Sequence, residues 1–238
     1  MKMKVWFSLS IFGFVALSIF FIYGRGIWHP KLLKVTGTRT LAEAIDQYGP
    51  KARKRLSIYF NQAQVEYPPK AMALVAFKES KTLQLWAGNQ GQLKKVHEYP
   101  IKAASGELGP KLMEGDRQTP EGIYQIIGFN PNSSYHLSMK LNYPNRFDWQ
   151  QAEKENRTQP GSDIFIHGKA ESIGCLAMGD RAIEELFVAV YDVGRANVQV
   201  VIAPTDPTKT PLNPSQYPQP WVAELYESIE TAITNIRN

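Results

Sequence analysis

The spacing of apolar positions changes along the chain, and each change predicts a different kind of element. Thr38 or Thr40 caps a predicted helix over Leu41–Tyr48, which Gly49-Pro50 is expected to break. A second helix over Lys51–Gln64 places Ala52, Leu56, Tyr59, Phe60 and Ala63 on one face. Beyond Tyr67-Pro68-Pro69 the pattern shortens into strand-like runs at Met72–Phe77, Thr82–Ala87 and Leu93–Ala103, with turns at Lys78–Lys81 and Asn89-Gln90-Gly91. Gly106–Gly115 reads as a loop, followed by a strand over Ile123–Phe129 and a weakly alternating stretch, Tyr135–Asn142. The polar segment Asp148–Gly161 reads as a surface insertion, long and polar enough for a lid. A strand at Ile164–Ile166, a helix at Arg181–Tyr191, a strand at Asn197–Ala203, a tail with six prolines and a helix at Trp221–Ile236 complete the pattern. No internal repeat is present. This order predicts an α+β fold, a mostly antiparallel β core with peripheral helices.

The N-terminus stands apart. Val5–Tyr23 is nineteen residues without a charge, preceded by Lys2 and Lys4. That length suits a bilayer-spanning helix. Its bulky end, Phe20-Phe21-Ile22-Tyr23, fits a retained anchor better than a cleaved signal peptide, which is the alternative. Either reading sends the rest of the chain through the export machinery, to the periplasm or cell envelope, with the membrane as a partner through this segment. The expected organisation is a signal anchor or signal peptide over 1–25, a linker and helices over 26–69, a catalytic domain over 70–204, and a Pro-rich segment with a closing helix over 205–238. Residues 40–238 suffice for one domain with its own core.

Charge narrows the partners. The net charge is +5, but the positive residues are dispersed. The one dense run, Lys51-Ala52-Arg53-Lys54-Arg55, alternates with apolar residues at helical spacing and reads as a solvated helix face rather than a phosphate-binding patch. Export argues against nucleic acid, whereas an anionic polymer of the envelope suits a basic surface.

Candidate chemistry centres on Ile164–Met178, which holds the only cysteine, Cys175, eight positions after His167. One cysteine forms no intrachain disulfide, and a free thiol in an oxidising compartment is a liability unless it is buried or needed. The run Ile164–Ile166 delivers His167 at a strand end. A Gly-containing loop follows, then Cys175, then a helix-like segment from Gly179. A thiol beside an imidazole near a helix start is a way to make a cysteine nucleophile. Gly174 lets the backbone approach a substrate, and the amides of Gly174 and Cys175 are candidate oxyanion donors. No G-x-S-x-G or H-E-x-x-H occurs, the histidines are scattered, and a phosphate-binding loop is absent, so no metal or other cofactor is expected. The residues alone leave two readings open: a Cys/His acyl-transfer site, or a core cysteine beside a strand-end histidine.

A set of separated motifs decides between them. Gly115-Asp116-Arg117, Thr119-Pro120-Glu121-Gly122-Ile123-Tyr124, Ser134-Tyr135-His136, Asn142-Tyr143-Pro144-Asn145, Ile166-His167-Gly168 and Ser172-Ile173-Gly174-Cys175 occur in that order. In them the chain resembles the L,D-transpeptidase catalytic domain (YkuD) family, in its YafK-like branch. The resemblance implies a mixed β fold whose cysteine attacks peptidoglycan stem peptides. An acyl-enzyme forms at the L-centre of a diamino acid, and D-alanine or another amine leaves. It makes Cys175 the nucleophile and His167 its base. Gly174, Gly168, Ser172 and His136 become oxyanion or substrate-binding candidates, and Thr119–Gly122 scaffold. The chain departs from the family's common pattern at Ile173, where a second histidine is usual, and at Ala177, where an arginine is usual. Its His-to-Cys spacing is also shorter. Three outcomes follow: a transpeptidase, which forms a cross-link or attaches an envelope protein; a hydrolase of the same fold, which trims stems or releases an attached protein; or an inactive binding domain.

Overall fold

The computed structural model describes residues 14, 17–21, 24–89 and 91–238. Among these, nine strands form one sheet: β1 (Ala71–Phe77), β2 (Thr82–Asn89), β3 (Gln92–Pro100), β4 (Ala103–Ala104), β5 (Gly122–Asn130), β6 (Ser138–Leu141), β7 (Phe165–His167), β8 (Leu176–Ala177) and β9 (Val198–Ala203). Their spatial order is β3-β2-β1-β9-β5-β6-β7-β8-β4. The β1/β9 and β7/β8 pairs are parallel and the rest antiparallel. The helices are α1 (Arg25–Thr36), α2 (Leu41–Gln62), α3 (Arg146–Lys154), α4 (Asp180–Val193) and α5 (Val222–Arg237). The expected α+β fold, mainly antiparallel, is what forms.

Continuous apolar runs in the central strands have a physical cause. Successive strand residues face opposite sides of a sheet, so a run without alternation needs cover on both. Met72, Leu74 and Ala76 of β1 join a core with α2 and α4, whereas Ala73, Val75 and Phe77 join a second core under α5. Val200 and Ile202 against Val201 and Ala203 repeat this division in β9.

Three expectations are corrected. The helix predicted to break at Gly49-Pro50 runs unbroken over Leu41–Gln62, opened by a capping box between Thr40 and Glu43. A mid-helix proline costs about 3 kcal/mol, but burying each of Ile45, Leu56 and Phe60 returns roughly 1.5–3 kcal/mol. Packing wins. The basic run is not simply a solvated face, because Arg53 grips Asp192 with two hydrogen bonds of 2.8 and 2.7 Å, and Arg55 pairs with Glu184 and Glu185. These ion pairs join α2 to α4. The segment 148–161, expected as a surface insertion with the length and polarity of a lid, instead carries most of α3 and packs down. Gln151 and Ala152 are buried, Arg157 donates to the Leu112 carbonyl (2.7 Å), and Tyr143 donates to that of Pro160 (2.7 Å). The predicted anchor, 5–23, lies mostly outside the described residues. Among the described residues no helix is long and apolar enough to cross a membrane.

Asp148 gives α3 a pH signature. Its carboxylate accepts from the Asn145 amide (2.8 Å) in a capping box and lies 3.5 Å from the Tyr124 hydroxyl. Burial pushes its carboxyl up to about 6, against the opposing pull of the Asn145 amide. A raised carboxyl pKa means the folded chain holds a proton that the unfolded chain has released. This contribution is fully present below about pH 4 and is lost as pH rises to about 6, on the order of 2–3 kcal/mol. Urea unfolding at pH 4 and pH 7 will therefore show a stability loss in wild type that Asp148→Asn lacks. Parallel profiles for the two proteins would refute it.

Candidate active site

The pairing of β7 with β8 explains the spacing of His167 and Cys175. Ile166 sits opposite Leu176 and His167 opposite Ala177, so Cys175 falls opposite Phe165. Side chains alternate along a strand. Phe165, His167 and Cys175 therefore share a face, although eight residues separate the last two. Ser138, opposite His167 on β6, lies on the same face. All four line a cavity of about 340 Å³, together with Tyr135, Asp163, Glu171, Ser172 and Ile173.

Hydrogen bonding fixes the histidine's tautomer. His167 is 3% exposed, and its Nδ1 lies 2.6 Å from the Gly168 carbonyl oxygen. A carbonyl only accepts, so Nδ1 carries the proton and Nε2 of the neutral ring keeps its lone pair. Tyr135 packs on the ring at a centroid distance of 4.7 Å. Cys175 Sγ donates a long bond to the Asp163 carbonyl (3.7 Å). Burial pushes the thiol above its ordinary value, partly offset by the Phe165 backbone amide. Burial also holds the His167 imidazole below its ordinary value, against the opposing effect of the Gly168 carbonyl. Both shifts favour the uncharged forms, a thiol and a neutral imidazole, over an ion pair. The helix start expected to assist the thiol begins only at Asp180, beyond β8.

The other candidates separate into distinct positions. Ser172 Oγ donates to the Cys175 carbonyl (2.7 Å) and accepts from the Gly174 amide (3.2 Å), closing the turn that presents the cysteine. The Gly174 amide, a candidate oxyanion donor, is thus already engaged. Gly174 has φ +133°, a conformation side chains rarely adopt. Gly168 is required by space, since a Cβ there would lie 2.6 Å from the Tyr135 carbonyl oxygen. It orients His167 rather than lining the cavity. His136 is turned away from the cavity: its Nε2 meets Glu184 Oε1 at 3.0 Å and its ring packs edge-on against Tyr48. Its backbone φ of +78° goes with that turn. Tyr135, beside it, takes the place at the cavity.

The upstream motifs build the frame of the site. Asp116 accepts from Lys111 Nζ and from the amides of Leu112, Met113 and Gln118, coiling the loop before β5. The Gly174 turn lies against that loop, where an added Cβ would come 3.4 Å from the Gln118 carbonyl oxygen. Asn142 Oδ1 accepts from the Gln125 amide (2.8 Å), and Asn145 caps α3. Among the described residues no three His, Cys, Asp or Glu side chains group to hold a metal ion.

Comparison with known proteins identifies the family. The model of the L,D-transpeptidase catalytic domain (YkuD) matches residues 72–202. Over 133 residues the chain is 35% identical to "Putative L,D-transpeptidase YafK" of Escherichia coli (strain K12), covering 54% of this chain and 52% of that one. The chain thus spans about half the length of the curated relatives it matches. Solved structures with similarity include the helical cell shape determining protein Pgp2 from Campylobacter jejuni, at 21% identity and a TM-score of 0.47 over 63% of this chain and 56% of that one. Mycobacterium tuberculosis L,D-transpeptidase 1 follows at 14% identity and a TM-score of 0.32 over 56% and 62%. Since the matched residues run from β1 to β9 and take in more than half the sequence, the chain belongs to the L,D-transpeptidase catalytic domain (YkuD) family.

Proposed function

We propose that this protein is a cysteine acyltransferase of the cell envelope acting on peptidoglycan stem peptides. The observation that carries the reading is the 2.6 Å contact from His167 Nδ1 to the Gly168 carbonyl, which leaves Nε2 as a base in the cavity that holds Cys175. Sγ attacks the amide carbonyl as Nε2 takes the thiol proton. The tetrahedral oxyanion is held by the Cys175 amide, because that of Gly174 is engaged by Ser172. As the C–N bond breaks, the imidazolium returns its proton to the leaving amine and a thioester remains. An incoming amine, deprotonated by the same imidazole, then forms the new amide and frees the thiol. The amine belongs to a second stem or to an envelope protein.

Hydrolysis is the second reading, and the cavity wall favours it in one respect. Among the described residues no Lys or Arg lines the cavity, and Ala177, at the position where an arginine is usual, is fully buried. The carboxylate beside an acceptor amine therefore has no bidentate partner there, while water needs none. Full-length protein incubated with purified peptidoglycan, with products read by mass spectrometry beside a Cys175→Ala control, separates the outcomes. New cross-linked species indicate transfer, and only shorter or released stems indicate hydrolysis. Identical products from both proteins sink the enzymatic readings and leave a binding domain.

A further inference from the structure

The charge in the cysteine cavity is unbalanced. Two carboxylates line it, Asp163 and Glu171. Asp163 is matched by Lys140 at 2.6 Å. Glu171 has no ion-pair partner among the described residues, and the nearest cation along the chain, Lys169, is tied to Asp180 at 2.5 Å. Glu171 also faces Tyr135, whose phenol is pushed up first by burial and next by the Glu171 charge. A partly enclosed wall with one unmatched negative charge repels carboxylates and attracts cations. An aromatic ring beside that charge strengthens the preference for a cation.

We infer that Glu171 is a specificity residue that reads a primary ammonium group on the substrate bound at Cys175. The inference rests on the stem-peptide reading above. Two sources bring that group into the cavity: the side-chain ammonium of the stem's diamino residue, or the amine that resolves the thioester. Their shared chemistry is a charge-assisted hydrogen bond from N–H⁺ to the Glu171 carboxylate. The neighbouring Ile173, 75% exposed, is an apolar rim residue unsuited to that contact.

The test uses the full-length protein in detergent carrying Cys175→Ala, so that ligands bind without turnover, and calorimetry as the readout. Three ligands are compared: a stem tetrapeptide with a free side-chain amine, the same peptide with that amine acetylated, and glycinamide. Adding Glu171→Gln, which keeps the side chain's shape, is expected to raise the Kd of the free-amine tetrapeptide about tenfold and leave the acetylated peptide unchanged. Glu171→Asp recovers part of the loss, a result that a merely structural role would not give. If glycinamide alone shows the dependence, the ammonium read is that of the acceptor. Equal Kd values for every ligand with and without Glu171→Gln overturn the inference while leaving stem binding intact. Failure of both tetrapeptides to bind removes the stem-peptide reading and the inference with it.

Discussion

On the proposed acyl-transfer mechanism, His167→Ala slows turnover of stem peptides about a thousandfold, the range expected for loss of a positioned general base. The effect is large in that mechanism because, among the described residues, no other imidazole lines the cavity. Burial pushes the Cys175 thiol up, so at neutral pH little thiolate exists before the base acts. Burial holds the His167 imidazole below its ordinary value, so the wild-type base stays unprotonated into mildly acidic solution and kcat/KM falls only as pH drops through that lowered value. The variant depends on thiolate formed by hydroxide alone, and its kcat/KM will climb tenfold per pH unit toward the raised thiol value. His167→Gln retains bulk against Tyr135 and separates lost packing from lost chemistry. A wild-type pH profile in both variants would remove His167 from the mechanism.

How much of this was legible in the sequence depended on the range of the forces involved. Local periodicity located most of the strands and α4 to within a few residues, because alternation and helical spacing are read along the chain, but it ran β3 and β4 together and gave no sign of the two-residue β8. Pro50 misled for the same reason: it carries a local penalty, whereas the burial of Ile45, Leu56 and Phe60 that outweighs it is tertiary. At the site, Cys175 and His167 stood out by residue type, and their shared cavity follows from the β7/β8 register, which no local pattern specifies. Tyr135, Ser138 and Glu171 were missed for that reason. In the motif Ser134-Tyr135-His136 residue type favours the imidazole as the site group, and only the left-handed backbone at His136 shows which of the two rings meets His167. The surface ion pairs of Arg53 and Arg55 likewise needed α4 in place before their partners were visible.

The turn Thr119–Gly122, read from the sequence as scaffold, supports a second large prediction. Glu121 is 1% exposed and its carboxylate collects three donors: Lys78 Nζ at 3.0 Å, the Gly109 amide at 2.6 Å and the Tyr226 hydroxyl at 2.9 Å. Lys78 in turn donates to the carbonyls of Gly109 and Thr119 at 2.8 and 3.0 Å. The network ties the end of β1, the loop before β5 and α5 at one buried point. Removing one member strands the others without water, so Glu121→Ala is expected to cost about 3–5 kcal/mol. For a chain of this size that corresponds to a Tm lower by roughly 10 °C or more. The same loss loosens the loop against which the Gly174 turn rests, because Thr119 holds Ser105 through its amide at 3.1 Å and Ser105 Oγ lies 3.4 Å from Ser172 Oγ. The reaction rate should fall at temperatures where the variant is still folded. Glu121→Gln keeps the acceptor oxygen but loses the charge opposite Lys78, and it should fall between wild type and Glu121→Ala in both Tm and kcat. A Glu121→Ala protein melting within about 2 °C of wild type, well below one buried ion pair's expected effect, would show that the network is not what holds this corner of the fold.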